Sequence, residues 1–147
     1  MIRVANARAN MISDAAAQLW LVRTERSAEG VTFRRFHRLA LHRQENPMFI
    51  LSWTLLHAIE ASSPLFGQSA GDLAASEATL VVILSGLDEN AVQELRARRN
   101  YDSSLIRWGY RYADILKADD RGRVTINYSR FHAVVQDADP RTGDVAP

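Results

Sequence analysis

The residues best suited to chemistry lie in one short segment of the sequence, LSWTLLHAIEASSPL at positions 51–65. It places His57, Glu60, Ser62 and Ser63 within seven residues, and their imidazole, carboxylate and hydroxyl groups are those used in general acid–base catalysis. Catalysis would also need a partner for the base and a substrate cleft, and the sequence shows neither. The neighbouring residues are apolar, and Ser-Ser-Pro is typical of a turn. The segment therefore favours a hydrogen-bonded histidine at the end of a core strand over a catalytic site.

Two further pairs of residues carry reactive groups, and neither pair has the setting that its chemistry requires. Ser129 and His132 place a hydroxyl near an imidazole, but the serine lacks the flanking glycines of a nucleophile elbow. His37 and His42 are five residues apart with no carboxylate between them, which is weak support for a metal site. The chain has no cysteine, which excludes disulfides, thiolate metal ligands and a cysteine nucleophile. We therefore expect no enzyme activity, no metal site and no cofactor.

A stretch of alternating basic and aromatic residues raises nucleic-acid binding as another function. Arg34, Arg35 and Arg38 are interleaved with Phe33 and Phe36. The net charge of the whole chain is only +1, however, which argues against the electrostatic attraction that dominates nucleic-acid binding. The sequence favours a solvated strand face, and we expect no nucleic-acid partner.

Length and composition predict one globular domain. The 147 residues are 47% hydrophobic and 24% charged, as is typical of a folded domain with a single substantial core. The longest apolar run, Leu80–Leu84, is far shorter than the roughly 20 residues that cross a bilayer. No segment resembles a signal peptide, so we expect this chain by itself to be soluble and intracellular.

The elements that must position these residues are predicted to be short strands. Apolar and β-branched residues recur between turn signals such as Gly30, Pro47 and Pro64. One short helix is predicted at 72–77, with Asp72 as its N-cap. Many short strands with little helix predict an all-β sandwich. The predicted strands are Met11–Val22, Val31–Leu41, Met48–Ile59, Ala78–Leu84, Leu105–Leu116, Val124–Tyr128 and Phe131–Val135.

Four motifs, taken in order, resemble a known family. They are RVANAR at 3–8, LSWTLLHAIEASSPLFG at 51–67, IRWGYRY at 106–112 and NYSRFH at 127–132. Together they resemble the C-terminal cytoplasmic domain of inward rectifier potassium channels, especially the bacterial branch. The resemblance implies an immunoglobulin-like β-sandwich over residues 1–136, which includes the one short helix. The segment DADPRTGDVAP at 137–147 has no periodic apolar face, so we expect a disordered tail there. The resemblance also implies that His57 is structural and that Ser63 belongs to a turn.

The resemblance implies how such a domain works. Family members are homotetramers in which this domain forms a ring below a membrane pore of two transmembrane helices and a selectivity filter. We therefore expect the chain to be an excised domain or a natural truncation of a channel in the cell (inner) membrane, with this domain on the cytoplasmic side. Potassium is then the transported ion rather than a cofactor. The domain extends the ion pathway and couples lipid and cytoplasmic signals to gating.

Three positions match the cation pathway of the family. Asp14 matches an acidic pore-facing position, and Glu45 matches a second acidic region. At Ser85 many animal members carry glutamate, so this departure implies weaker rectification. Because a ring of carboxylates concentrates cations, polyamines or Mg²⁺ are the expected pore blockers.

Further positions match the regions that control gating in the family. Arg3 and Arg8 match membrane-facing positions that respond to anionic phosphoinositide lipids, and Arg99 matches a residue that braces the gate loop through a carboxylate. The gate loop itself is placed at about 86–92 and contains Gly86, Leu87 and Val92.

The segment ENAVQELRARR at 89–99 is helical by propensity. The resemblance instead predicts that the gate loop continues into a strand here. Gly86 suits such a loop because glycine takes positive φ without steric cost.

Two other functions fit an all-β domain. One is a stand-alone soluble module that binds a ligand, and the other is a hydrolase that uses Ser129 and His132. A potassium-selectivity filter between two apolar segments of about 20 residues, in the same coding sequence, distinguishes a channel from both.

Overall fold

A computed structural model describes residues 1–8, 10–118, 120, 122 and 124–137 of the chain. The chain divides into two compact units, residues 1–106 and residues 107–147, and each is described by itself. The tail predicted to be disordered lies, apart from Asp137, outside the described residues. The first unit contains β1 (Ile2–Ala5), β2 (Ile12–Arg26), β3 (Thr32–Leu39), β4 (Glu45–Phe49), β5 (Ser52–Leu55), α1 (Ala70–Ala75), β6 (Thr79–Asp88), β7 (Gln93–Asp102) and a 3₁₀ turn (Ser103–Leu105). The second contains β8 (Tyr110–Tyr112), β9 (Leu116–Ala118), β10 (Val124–Ile126), a 3₁₀ turn (Tyr128–Arg130) and β11 (Val134–Gln136).

The first unit is built around a five-stranded antiparallel sheet in which β2 pairs with three other strands. β6 pairs with one edge of β2, and β3 and β4 pair with successive parts of its other edge. β7 pairs with β6 and has no further partner strand in the described part of the chain. β2 can therefore run as one long strand, because neighbouring strands on both edges provide hydrogen-bond partners for its backbone N–H and C=O groups.

The two faces of this sheet differ because side chains alternate along each strand. Ala17, Leu19 and Leu21 of β2 are buried and form the core-facing side. Gln18 and Trp20 lie on the opposite side, and we call this side the outer face of the sheet. The antiparallel register carries the same two faces across to the neighbouring strands.

A second layer closes the core of the first unit. β1 and β5 form a two-stranded antiparallel sheet, and their residues Ile2, Trp53 and Leu55 are buried in one cluster with Leu19 and Leu39 of the large sheet. Two sheets and one short helix around one apolar cluster confirm the prediction of an all-β sandwich.

The short helix begins at a different cap from the one predicted. Ser69 is the N-cap residue: its hydroxyl accepts the N–H of Asp72, and the Asp72 carboxylate accepts the N–H of Ser69. Asp72 therefore completes a capping box from inside the first turn rather than serving as the cap. The helix also buries Leu73 completely.

The predicted strand Met48–Ile59 is wrong, because this segment contributes to two different sheets. β4 pairs with β2, the chain bends at Ile50 and Leu51, and β5 then pairs with β1. His57 lies beyond the end of β5, in the loop that follows. An uninterrupted apolar run does not reveal such a break, because both strands need apolar residues facing the same core.

The second unit contains two short antiparallel strand pairs, β8 with β11 and β9 with β10. The predicted strand Leu105–Leu116 is wrong over much of its length. Gly109 takes a φ of 72°, and β8 begins only at Tyr110. The strand predicted at Val124–Tyr128 ends at Ile126, because the Asn127 side chain accepts the N–H of Ser129 and starts a 3₁₀ turn.

Candidate functional site

The residues predicted to line a cation pathway meet at one end of the large sheet. Ala16 of β2 lies directly opposite Glu45 of β4 on one edge and directly opposite Ser85 of β6 on the other. Ser85 in turn lies directly opposite Arg96 of β7. We call Glu45, Ala16, Ser85 and Arg96 the Ala16 row. Directly opposed residues point to the same face, so the row lies on the outer face of the sheet.

Asp14 lies next to this row at an irregularity in β2. Two residues, Asp14 and Ala15, occupy the space opposite the single residue Gly86, which is a β-bulge. Asp14 takes a φ of 48°, a conformation that aspartate tolerates better than most residues, and it is exposed. On the other edge of β2 the residue beside the bulge is Pro47, which has no N–H to leave unpaired. The bulge therefore places an exposed carboxylate two residues along β2 from Ala16, the residue that lies between Glu45 and Ser85.

Gly86 and Leu87 do not lie in a loop, so the predicted start of the gate loop is wrong. β6 continues through Asp88, and the turn contains only residues 89–92 before β7 begins at Gln93. The prediction that ENAVQELRARR is not a helix is confirmed, because this segment forms that turn and most of β7. Cross-strand pairing with β6 overrides the helical propensity of the segment.

Gly86 is required for close approach rather than for positive φ. It lies in extended backbone, and a Cβ atom placed on it would be 2.5 Å from Cγ2 of Ile12 and 3.1 Å from the carbonyl oxygen of Ser13. It would also be 3.2 Å from the Cα of Ala15. The bulge thus leaves no room for a side chain at the position opposite to it.

Replacement of Gly86 by Ala is therefore expected to destabilise the domain by roughly 1–3 kcal/mol, because backbone atoms of the bulge would have to move. Urea unfolding of the isolated chain measures this change. Gly71→Ala is the matched control: its nearest neighbour is 3.6 Å from the new Cβ, and alanine in a helix should be neutral or stabilising. Equal stability of the Gly86→Ala protein and the unmodified chain would contradict the steric argument.

The turn between β6 and β7 is held by a buried carboxylate, Asp88. Only 2% of this residue is exposed, and its Oδ1 accepts the backbone N–H of Asn90 at 3.0 Å and of Ala91 at 3.2 Å. The side-chain hydrogen bond from Asn10, with these N–H groups and the charge of Arg8, holds the pKa of Asp88 below its ordinary value. Asp88 therefore joins the segment before β2 to the turn.

Val92, at the end of this turn, adopts a backbone conformation that is rare for its type. Its φ is 51°, and 79% of the residue is exposed. A β-branched side chain is disfavoured in this left-handed region, so the conformation persists only if its surroundings impose it. The two residues before it, Asn90 and Ala91, are held by their hydrogen bonds to Asp88.

Arg3 and Arg8, the predicted lipid-facing residues, lie in different surroundings. Arg3 is half-buried on β1, directly opposite Thr54. Arg8 lies in the segment between β1 and β2 with 73% of its side chain exposed, and its Nη1 is 3.6 Å from Oδ2 of Asp88. Arg8 is thus both accessible and in contact with the residue that holds the turn.

Arg99, predicted to brace the gate loop, is exposed on β7 directly opposite the buried residue Val82. No carboxylate of the described residues lies within 4.0 Å of it, so its bracing role stays a prediction. The carboxylate contact at this turn is made by Arg8 instead. Sequence reasoning missed Asp88, although a carboxylate followed by Glu-Asn at the end of an apolar strand is a recognisable turn signal.

Both ring nitrogens of His57, in the segment at 51–65, form hydrogen bonds within the fold. With the proton on Nδ1, His57 donates to the carbonyl oxygen of Ala40 at 2.7 Å and accepts the Ser63 hydroxyl at Nε2 at 2.8 Å. The oxygen of Ser63 also accepts the N–H of Leu65 at 3.1 Å. Ser63 is buried, and it bonds backbone groups of the turn as predicted.

Ser129 and His37, from the other two pairs of reactive residues, are also hydrogen-bonded to neighbouring side chains. The hydroxyl of Ser129 donates to the Asn127 side chain at 2.6 Å, and His37 is bonded to Glu25. No cluster of three or more histidine, aspartate or glutamate side chains in the described ranges is placed to hold a metal ion. The Ser129 hydrogen bond stabilises the 3₁₀ turn, and the His37–Glu25 contact joins β3 to β2.

The basic residues of β3 are bonded to neighbouring side chains. Arg34 lies 3.6 Å from the Glu77 carboxylate and Arg35 lies 3.4 Å from the Glu25 carboxylate. The hydrogen bond from Arg23, together with the contact with His37, lowers the pKa of Glu25 to about 2. Arg34 and Arg35 are thus paired with carboxylates of the same domain, which reduces their attraction for a polyanion, whereas Arg38 bonds the uncharged side chain of Gln44.

Comparison with protein families agrees with the resemblance seen in the motifs. Residues 1–144 match the family described as the inward rectifier potassium channel C-terminal domain. The chain belongs to this family. It is a family of potassium channel domains, which take part in ion transport, and not a family of enzymes.

Bacterial and animal channels are among the relatives of this family member. It is 38% identical over 136 residues to the inward rectifier potassium channel Kirbac3.1 of Paramagnetospirillum magnetotacticum, which covers 92% of this chain and 46% of the relative. It is 29% identical over 151 residues to the ATP-sensitive inward rectifier potassium channel 8 of Mus musculus, covering 96% of this chain and 34% of that channel. The chain therefore spans less than half the length of these relatives. Within the residues that the structure describes, no helix is both long enough and apolar enough to span a membrane.

Proposed function

We propose that this chain forms the cytoplasmic ion pathway and gating domain of a homotetrameric inward rectifier potassium channel. The observation that carries the proposal is the meeting of Asp14, Glu45 and Ser85 at one end of the outer face. Four-fold symmetry turns each of these side chains into a ring of four. Membership of the family supports this assembly, with potassium as the transported ion and with no cofactor.

The charges on this face explain how the domain acts on ions. Rings of carboxylates from Asp14 and Glu45 lower the electrostatic potential in a narrow water-filled path and raise the local concentration of cations. Polyamines and Mg²⁺ are attracted more strongly than K⁺ because their charge is higher. Ser85 adds no charge, so rectification depends on the two acidic positions.

Control of gating is assigned to the turn at 89–92 and the segment before β2. In this proposal Leu87 and Val92, at the end of the β6–β7 hairpin, narrow the path, with Gly86 fixing the hairpin against the bulge. Arg99 on β7 braces the hairpin through a carboxylate of another subunit.

The same proposal places the Arg3 and Arg8 end of the domain against the cytoplasmic side of the cell (inner) membrane. An anionic phosphoinositide headgroup near this end gains about 1 kcal/mol for each basic residue close to the surface. Arg8 is the better placed of the two, because most of its side chain is exposed. A lipid that draws Arg8 away from Asp88 would weaken a contact that holds the turn, which links lipid binding to the gate.

A stand-alone ligand-binding module is the second candidate, and a cavity bears on it. The cavity lies between the chain at Asn6, Arg8 and Ile12 and the paired parts of β6 and β7, and its volume is about 280 Å³. Sites for small molecules are mostly about 300–1,000 Å³ and enclose most of the ligand. This cavity is at the lower limit of that range, which favours the channel function.

A chimeric channel tests the proposal. It joins this chain to the part of Kirbac3.1 that precedes the matched region, and the readout is potassium current across a planar lipid bilayer. We expect a tetramer that conducts K⁺ and is blocked by Mg²⁺ or spermine added on the side of this domain. A chimera that assembles and conducts without any such block would contradict an ion-pathway role, and a chain that prevents assembly would contradict the tetramer.

A further inference from the structure

Arg96 places a positive charge at one end of the Ala16 row, which carries Glu45 at its other end. It lies directly opposite Ser85, which lies directly opposite Ala16, which lies directly opposite Glu45. Opposed side chains on adjacent antiparallel strands have Cβ atoms about 4.5–5.5 Å apart. Arg96 is exposed, and no carboxylate of the described residues lies within 4.0 Å of it. Its charge is therefore directed to the outer face and is not neutralised there.

The residue directly opposite Arg96 carries no charge. Ser85 is uncharged, so the two central positions of the row carry no charge and Arg96 is the next residue along it. An arginine side chain stays protonated at any physiological pH. Arg96 therefore adds one positive charge per subunit to the end of the outer face that carries the carboxylates of Asp14, Glu45 and Glu94, the last of which lies two residues away on β7.

We propose that Arg96 lowers the affinity of this face for multivalent cations and so limits block of the ion pathway. The inference rests on the proposed channel function, because the charge matters only if the outer face lines the path. Four copies of Arg96 raise the potential felt by a cation, and the energetic effect on the cation grows in proportion to its charge. Arg96 therefore discriminates by valence: it affects spermine most, Mg²⁺ less and K⁺ least.

The expected size of the effect follows from Coulomb interactions across a water-filled path. Removing four positive charges at roughly 10 Å should strengthen Mg²⁺ block on the order of tenfold at about 0.1 M ionic strength. A tetravalent polyamine carries twice the charge, so its block should strengthen by about the square of that factor, on the order of a hundredfold. A purely structural role of Arg96 has no reason to follow this valence rule.

The test uses Arg96→Gln in the chimera, with Arg96→Lys as a variant that retains the charge. Arg26→Gln is the matched control: Arg26 is exposed on the same strand as Ala16 but ten residues away, roughly 33 Å along β2. Dissociation constants for Mg²⁺ and spermine are measured from current block at two ionic strengths. We expect stronger block only in Arg96→Gln, larger for spermine and reduced at high salt.

Three outcomes would overturn the inference. Unchanged block in Arg96→Gln, in a chimera whose block is weakened by Asp14→Asn, would remove Arg96 from the path while leaving the proposed function intact. Equal strengthening in Arg26→Gln would show a general charge effect. The same factor for both blockers would show a change in pore structure. Loss of current or of all block in the chimera itself would instead contradict the proposed function.

Discussion

Replacement of Asp14 by Asn is expected to weaken block by internal multivalent cations, on the order of tenfold for Mg²⁺ at about 0.01 M ionic strength. The substitution removes four charges from the tetramer at once, and at this ionic strength the screening length is about 30 Å. At about 1 M salt the screening length falls to about 3 Å, and the effect should nearly vanish. Asp14 should carry much of the block, because Ser85 supplies no charge. Current block in the chimera measures it.

Glu29→Gln is the control for Asp14→Asn. It also removes one negative charge per subunit, and Glu29 is exposed in the loop after β2, at the far end of the sheet from the bulge. Block should be unchanged in this variant. If Asp14→Asn also leaves spermine block unchanged at low ionic strength, the Asp14 side chain does not face the ion path.

Replacement of Asp88 by Ala is expected to lower the midpoint of thermal unfolding of the chain by about 5 °C or more. The change removes the acceptor of two backbone N–H groups and the anionic partner of Arg8. It also releases Asn90 and Ala91, the residues before the strained Val92, so the turn should lose its fixed conformation. Asp88→Asn keeps a side-chain oxygen that can accept these hydrogen bonds, so it should lower the unfolding midpoint by less than Asp88→Ala does. Equal midpoints for the Ala variant and the unmodified chain would contradict the role of Asp88.

The contribution of the Asp88 charge to the stability of the fold should depend on pH, in a direction set by the lowered pKa of Asp88. A carboxylate with a lowered native pKa stabilises the fold fully above its ordinary value, here 3.8, and loses this effect as pH falls through the native value. The difference in stability between the unmodified chain and Asp88→Asn should thus be constant near neutral pH and shrink below about pH 4. The pKa of Glu25 is lowered from 4.5 to about 2 on folding, so Glu25 titrates in an overlapping range. Both proteins contain Glu25, so its contribution cancels in the difference. A difference that grows at low pH would contradict this sign.

The sequence predicted the class of the fold and the approximate positions of its first two long strands. β2 and β3 were found where expected because their apolar residues recur between clear turn signals. The division of Met48–Ile59 into two strands was not predictable, because both pieces face one core and are equally apolar. Local propensity was also misleading at Glu89–Arg99, where pairing with β6 decides the structure.

Residues of the candidate site were predictable by type but not by arrangement. Asp14, Glu45 and Ser85 come from three distant parts of the chain, and only the register of three strands shows that Glu45 and Ser85 share a row with the Asp14 bulge next to it. The burial of Asp88 depends on the segment that carries Arg8 and Asn10, about 80 residues earlier in the sequence. A bulge changes that register by one residue, and alternation alone does not locate a bulge.

The arginines of β7 also affect how separate molecules meet. β7 is ten residues long and lies at the edge of the large sheet. Within the described residues no strand covers its outer edge, so that edge could pair with a strand of another molecule. Long open edges of this kind promote aggregation unless charged side chains keep other strands away. Arg96, Arg98 and Arg99 place three like charges along this edge. Mutual repulsion between two such edges would keep copies of the domain apart until they assemble through other surfaces.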